Sequence, residues 1–299
     1  MIRLGTPTSI VNLCKLYGKS RQAYYSRYRH EEKKGMQEAI ILDLVRNIRS
    51  ELPYTGVPKL HRMLRADLAE HGIFIGRDRL ANLLRSHGLM IRPRRKKART
   101  TWSSHRFKKW KNLVTGFTPR RPEQLWVSDI TYIRLKNGFS YLSLITDAYS
   151  RKIMGFHMSR SLKAQGTISA LNEALRNRMY PGKPLIHHSD RGIQYCCDDY
   201  VAILQDKEVQ ISMTQRGDPT DNPIAERING ILKKELGLGK TFASYRATLP
   251  ELTRAIYLYN EKRLHSSVDY LTPSEAHKRT GNLKKHWKKR RKIYAYEIK

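Results

Sequence analysis

Three acidic residues stand in settings where a folded chain rarely keeps an unpaired charge. Asp129 sits inside the apolar run Leu125-Trp126-Val127-Ser128-Asp129-Ile130-Thr131-Tyr132-Ile133. Asp190 closes a second run, Leu185-Ile186-His187-His188-Ser189-Asp190. Glu226 lies one turn into a helical pattern that opens after Asn222-Pro223. Sixty residues separate the first two acids and thirty-five separate the last two. Burying a lone carboxylate in a core strand is costly. Two strands and a helix that each bring one acid therefore suggest a shared cation. Magnesium and manganese prefer carboxylate and water oxygens. Two such ions about 3.5–4 Å apart can serve the attacking oxygen, the leaving oxygen and the phosphoryl charge of phosphodiester transfer. Three acids can hold two ions if one carboxylate bridges.

The elements that must position these acids follow from residues 122–280. Strand patterns run over 125–133, 139–146, 152–158, 185–189 and 209–213, and helical patterns over 164–179, 197–206, 223–236 and 248–260. Asn137-Gly138 is a hairpin signal between the first two strands. Alternating helices alone give only an α/β class. Around Glu226, Pro223 suits the first helical position and Asn222 the N-cap. Asp221 would complement the positive helix end, a structural role. Lys233 follows Glu226 by seven residues, about 10.5 Å along the same face, where it reads either as a phosphate contact or as an exposed helix lysine. Gly217-Asp218-Pro219-Thr220 reads as a mobile loop that orders over substrate. His188, Ser189, Arg191 and Gln194 flank Asp190 and could position a polymer. Asp147 is expected to end a strand, and Asp198 and Asp199 to occupy surface turns.

Charge identifies that polymer. The 299 residues hold 58 Lys and Arg against 26 Asp and Glu, a formal charge of +32. Such self-repulsion gains nothing in folding, and nucleic acid is the leading partner. No apolar run approaches the roughly 18 residues of a membrane span, and the start, Met1 to Pro7, does not read as a signal peptide. Cys14, Cys196 and Cys197, an odd number with two adjacent, do not read as a disulfide framework; a reducing cytoplasm fits. His187, His188, Cys196 and Cys197 lack the pair spacing of a zinc site, and buried thiols with strand-end histidines are the preferred reading.

Upstream, residues 1–35 read as a helical pair over 8–17 and 21–33, either a helix-turn-helix or a plain hairpin. Residues 36–91 read as three helices, 37–50, 58–71 and 77–87. Arg77 and Arg79 open the third, as in a DNA-binding helix-turn-helix; a bundle without DNA contact is the alternative. Between Arg79 and Pro122 there is no acid. The linker 92–121, with Arg94, Arg95, Lys96 and Lys97 at its head, reads as a phosphate-tracking segment. Its Trp102 and Trp110 either stack on bases or, as favoured, pack on the core. The tail, 281–299, carries seven Lys or Arg between Lys284 and Lys292 and is expected to be mobile without DNA.

Three motifs fix a resemblance: Trp126 to Ile133, His188 to Tyr195, and Asp221-Asn222-Pro223-Ile224-Ala225-Glu226 with Lys233. They resemble the catalytic core of retroviral-type integrases and, more closely, the transposases of insertion-sequence family three, second-frame (OrfB) type. Tyr259-Asn260 and Leu271-Thr272-Pro273 match that family's C-terminal pattern, so the likeness spans nearly the whole chain. It implies a ribonuclease H-like core, a mixed five-stranded sheet flanked by helices, behind all-α helix-turn-helix modules. It implies two Mg2+ ions, replaceable by Mn2+, with Asp129 bridging, Asp190 completing one site and Glu226 the other. It implies DNA cleavage and 3′-OH strand transfer at the terminal inverted repeats of an element and in target DNA, by a homodimer or larger assembly. An upstream OrfA-type protein, as partner or fusion, and a bacterial cytoplasm at the nucleoid belong to the same expectation. A catalytically silent DNA-binding regulator and a hydrolysis-only nuclease are the alternatives.

Overall fold

The computed structural model of the chain describes residues 9–91, 107–215 and 222–287. The chain divides into two compact units, 1–92 and 93–299.

The first unit is helical: α1 Ile10–Leu16, α2 Arg21–Glu51, α3 Val57–Met63, α4 Arg65–Glu70 and α5 Arg77–Ser86. Ser9 and Ser20 cap α1 and α2, their hydroxyls accepting from the Asn12 and Ala23 amides. The expected division near residue 35 is absent, because α2 runs unbroken through Gly35 for 31 residues. One helical glycine costs only ~1 kcal/mol, which good helix formers on both sides outweigh. Ile41, Leu42 and Val45 of α2 pack on Leu60, Leu64, Leu68, Ile73, Leu80 and Leu84. The single helix expected over 58–71 is two segments that meet at Leu64, whose backbone stays right-handed. Gly72, with φ +64°, supplies the left-handed residue before α5.

Arg94, Arg95, Lys96, Lys97 and Trp102 lie outside the described residues. The described part of the expected linker, residues 107–121, is held by the second unit. Phe107 and Trp110 pack on its core, and the Leu113 amide donates to Ser212 Oγ at 2.9 Å.

The second unit runs β1 Leu125–Leu135, β2 Gly138–Asp147, β3 Ile153–Ser159, α6 Gln165–Arg176, β4 Ile186–Ser189, α7 Ile193–Cys196, α8 Asp198–Asp206, β5 Gln210–Met213, α9 Pro223–Lys234, α10 Tyr245–Tyr257 and α11 Pro273–Ala276. One sheet has the order β3-β2-β1-β4-β5. β1, β2 and β3 form an antiparallel meander; β4 and β5 run parallel to β1. This mixed sheet is the ribonuclease H-like arrangement. Strand alternation divides the core. Ile133, Leu142 and Leu144 face α9 and α10 through Ile228, Leu232, Leu252 and Ile256. Trp126 and Ile145 face α6 and α8 through Leu171, Ala174, Tyr200 and Leu204. At Gly155 the β3 backbone meets α6 so closely that a Cβ would lie 2.2 Å from the Ala170 carbonyl.

α10 continues into a π-helical turn, Leu258–Lys262. There Asn260 forms a pair of bonds with Ile153, its Oδ1 accepting from the amide and its Nδ2 donating to the carbonyl, each at 3.0 Å. Tyr259 Oη donates to the Arg151 carbonyl at 2.9 Å. The Tyr259-Asn260 pair thus fastens the edge strand. Near the start of β1 a buried polar cluster joins distant segments. The Glu123 amide donates to Asp147 Oδ2 at 2.7 Å. His277 Nδ1 lies 2.9 Å from Ser150 Oγ, which donates to Asp147 Oδ1 at 2.7 Å. His277 Nε2 lies 3.3 Å from Glu123 Oε1. Burial works against the charged imidazole, but hydrogen bonds to Asp147 and Glu123 outweigh it, and the His277 pKa is raised. Burial likewise opposes the Glu123 charge, yet His277 and the Met179 and Tyr180 amides hold its pKa down. Asp147 therefore ends its strand as a structural anchor. The described start of the C-terminal tail is tied down as well, the Gly281 amide donating to the Arg120 carbonyl at 2.8 Å and His286 pairing with Asp269 at 2.6 Å.

Candidate active site

β1 and β4 are parallel neighbours whose last paired couple is Val127 and His188. Asp129 and Asp190 each lie two residues beyond that couple, so the two acids are level on adjacent strands spaced about 4.8 Å apart, Asp129 within β1 and Asp190 just past the end of β4. Both are part-exposed, as is Glu226. Tyr195 confirms the neighbourhood electrostatically. Burial first, then the Asp190 and Asp129 charges, push its phenol well above its ordinary pKa, and its Oη lies 3.1 Å from Ser128 Oγ.

Glu226 arrives on α9. Asn222, Glu226 and Asn229, spaced by four and then three, form one stripe of that helix. The stripe docks on β1 at both ends: Asn222 Nδ2 donates to the Ser128 carbonyl at 2.9 Å, and Asn229 Nδ2 donates to Asp129 Oδ2 at 2.7 Å. Glu226 lies between these two contacts. Asn222 occupies the N-cap position and Pro223 the first turn, as expected, but the Asn222 side chain makes no cap bond, because it is engaged by β1 instead. Asp221 and the loop 217–220 lie outside the described residues.

The three carboxylates are not yet a metal cage. Asp190 Oδ1 accepts from the Gly192 amide at 2.9 Å, Asp129 Oδ1 from the Ile130 amide at 3.0 Å, and Asp129 Oδ2 from Asn229. Among the described residues no three His, Cys, Asp or Glu side chains form a group that could hold a metal ion as they stand. The donor chemistry suits a hard divalent cation.

The neighbours of Asp190 divide. His188 and Ser189 are buried and point inward, His188 Nδ1 lying 2.9 Å from Ser212 Oγ and Ser189 Oγ donating to the Asp190 carbonyl at 3.0 Å; neither is a surface for DNA. Gln194 Nε2 donates to the Leu162 carbonyl at 2.8 Å, tying the loop after β3 to the loop that carries Asp190. His187 is neutral: burial and the adjacent His188 lower its pKa to about 3, and Tyr200 Oη lies 2.9 Å away. Burial raises the Cys196 thiol to about 11, so it is unreactive. Lys233 is part-exposed on the last turn of α9, and its carbonyl accepts from the Gly239 amide at 3.0 Å. In the first unit Arg77 and Arg79 are exposed on the first turn of α5, Arg77 Nε donating to Asp78 at 2.9 Å. Asp198 and Asp199 are exposed in the first turn of α8.

Fold and site together define a nucleic-acid-processing enzyme with an integrase core, and integrase core domain family models match residues 119–219 and 207–273. The chain belongs to the insertion-sequence transposases of the IS3 type, which are polynucleotidyl transferases. It is 35% identical over 267 residues to the 31 kDa protein of insertion element IS600 from Shigella sonnei, covering 88% of this chain and 96% of that one. It is 34% identical over 224 residues to the transposase InsF for IS3A of Escherichia coli strain K12, covering 74% and 75% of the two chains. Among solved structures it resembles the catalytic core of the HTLV-2 integrase with a TM-score of 0.43 and 19% identity, covering 54% of this chain and 99% of that one.

Proposed function

We propose that this transposase cuts and joins DNA at Asp129, Asp190 and Glu226. The observation that supports the reading most is that mid-β1, the end of β4 and one stripe of α9 meet at one level of the sheet. Asp129 and Asp190 are level on neighbouring parallel strands, and α9 presents Glu226 between two contacts to residues 128 and 129. Among the described residues no helix is long and apolar enough to cross a membrane, and the charge of +32 suits a polyanion.

Asp129, Asp190 and Glu226 would hold a pair of Mg2+ ions, or Mn2+ in their place, which would supply activation of a water or hydroxyl nucleophile and compensation of charge at phosphorus. The chain's own residues orient them. Asn229 fixes the Asp129 carboxylate, and the Gly192 amide fixes that of Asp190. Tyr195, held neutral, keeps the site floor apolar and takes no proton. Lys233, on the last turn of the same helix, reaches a DNA phosphate as a point charge. The α3 to α5 module, with Arg77 and Arg79, and the basic stretch holding Arg94, Arg95, Lys96 and Lys97 bind the terminal repeats. Two element ends require two active sites, so the working form is a homo-oligomer on DNA, with an OrfA-type protein as partner or fusion. The setting is the bacterial cytoplasm at the nucleoid.

The test is Asp190→Asn with oligonucleotide element ends in magnesium. Strand cleavage and joining should vanish while DNA affinity stays within about twofold, since Asn keeps the shape and removes a charge that attracts cations. Full cleavage by the variant refutes the assignment. Cut but never joined products from the native chain would point to a hydrolytic nuclease, and binding with neither step to a silent regulator.

A further inference from the structure

Beyond the carboxylates, the β1–β2 hairpin turns an unusual face outward. Tyr132 pairs with Tyr141, and Arg134 with Phe139, in the antiparallel register. These residues alternate with Thr131, Ile133 and Leu135, which point toward α9 and α10. On the outer face three rings meet edge-on, Tyr132 with Tyr141 at 5.2 Å and with Phe139 at 6.0 Å between centroids. The Arg134 guanidinium stands 5.2 Å over Phe139. Tyr132 and Phe139 are 48% and 43% exposed, although burying large rings is strongly favourable. The hairpin is nonetheless stiff. Leu135 bridges Phe242, and the Phe242 and Lys136 amides donate across this bridge to the Arg134 and Phe242 carbonyls at 3.0 and 2.9 Å.

The charge around the rings has one sign. Arg134 and Lys136, on the hairpin beside them, are exposed, while Arg160, further along, stands 4.9 Å over Tyr245 on the α10 side. From Ile130 to Ala164 the only acid is Asp147, which is fully buried in the cluster near the start of β1. A second copy of the same face would meet it with like charge. β1 itself links the face to the proposed site, Tyr132 lying three residues after Asp129 on the same strand.

We infer that this aromatic and basic face binds DNA bases that have left the duplex, its rings stacking on them and its cations following the phosphates. A duplex hides base faces, whereas cleavage and joining expose strand ends. Aromatic stacking accepts any base and so needs no sequence. The inference rests on the transposase reading for its substrate class, but the binding it describes needs no metal and no cutting.

The test uses the full chain without divalent metal and two probes, an oligothymidine longer than the ~4–16 nucleotides such a groove occupies and a blunt duplex of equal charge. Tyr132→Ser with Phe139→Ser should weaken oligothymidine binding about tenfold and leave the duplex within about twofold, each ring adding a stacking contribution. Arg134→Gln should lower the salt slope of oligothymidine binding by roughly 0.7, one single-strand phosphate contact. Both alterations lie on exposed side chains, and an unchanged melting midpoint shows that the sheet is intact. Unaltered oligothymidine affinity overturns the inference. Equal losses on both probes also overturn it, as does a change confined to self-association in sedimentation, which would make the face a protein contact. If Asp190→Asn still cut DNA, the assignment of the cutting site would fail while the oligothymidine result stood.

Discussion

The Asn229 amide offers the sharpest test of how the site is held. It donates to Asp129 Oδ2 at 2.7 Å from a residue only 8% exposed. A hydrogen bond to a charged group contributes roughly 1.5–3 kcal/mol. Asp129 is part-exposed, so water can replace some of this, and the lower end, ~1.5 kcal/mol, is the appropriate figure. Asn229→Leu keeps the volume and removes the donor. If Asn229 serves to aim Asp129, the loss should fall on turnover, about tenfold at ~1.4 kcal/mol per decade, with DNA affinity unchanged. Asn229→Asp should be worse, because two carboxylates in hydrogen-bond range cannot both ionise freely and one pKa rises. Its residual activity should therefore recover as pH increases, whereas the Leu variant should keep the native pH profile. The assay is single-turnover cleavage of a labelled element end at saturating magnesium, beside a filter-binding isotherm. A Leu variant that cuts at the native rate, with the same melting midpoint, would show that Asp129 needs no such support.

Three further outcomes follow from the packing. His277→Leu should destabilise the core by ~1.5–3 kcal/mol, because Glu123 keeps Arg178 and two amides but loses a charge-assisted partner, as does the Asp147–Ser150 pair. The native His277 pKa is raised, so its contribution is full below about pH 6.5 and lost as pH climbs through the folded value; urea melts at rising pH should show the native and variant curves converging. Gly155→Ala, whose Cβ would lie 2.2 Å from the Ala170 carbonyl and 2.6 Å from the Ala174 amide, should cost ~1–3 kcal/mol by overpacking, seen as a lower melting midpoint, and an unchanged midpoint would refute the tight α6 contact. Gly239→Ala would set a Cβ 2.5 Å from the Lys233 carbonyl, displacing the last turn of α9; DNA affinity in metal-free buffer should fall severalfold while Asp129 chemistry on saturating DNA persists.

What was legible in the sequence is what repeats locally. Apolar runs and the Asn137-Gly138 turn locate β1 to β5 to within a residue or two of their observed ends, because a strand's side-chain period is written in consecutive residues. The three acids stand out for the same reason, each conflicting with its surroundings. The helical unit was less legible. The helices expected over 21–33 and 37–50 are one continuous α2, and Leu64, with no unusual residue beside it, marks a segment boundary.

The site's supports could not be read at all, and the reason is distance along the chain. Asn229 and Asp129 are 100 residues apart, Asn222 and the Ser128 carbonyl 94, and His277 and Glu123 154. An asparagine in a helix carries no mark of whether its amide faces water or a carboxylate, and a buried glutamate before a strand looks like an exposed one. The N-cap rule places Asn222 at the head of α9, but it says nothing of the side-chain bond that Asn222 makes to β1. Acids that do chemistry announce themselves by being out of place; the residues that aim them are ordinary until the sheet closes. Asn222 and Asn229 sit one on each side of Glu226, so a single rigid helix sets all three against β1. A shift of α9 along β1 would therefore move Glu226, release Asp129 and carry Lys233 with it, so the α9–β1 contact couples the placement of all three side chains.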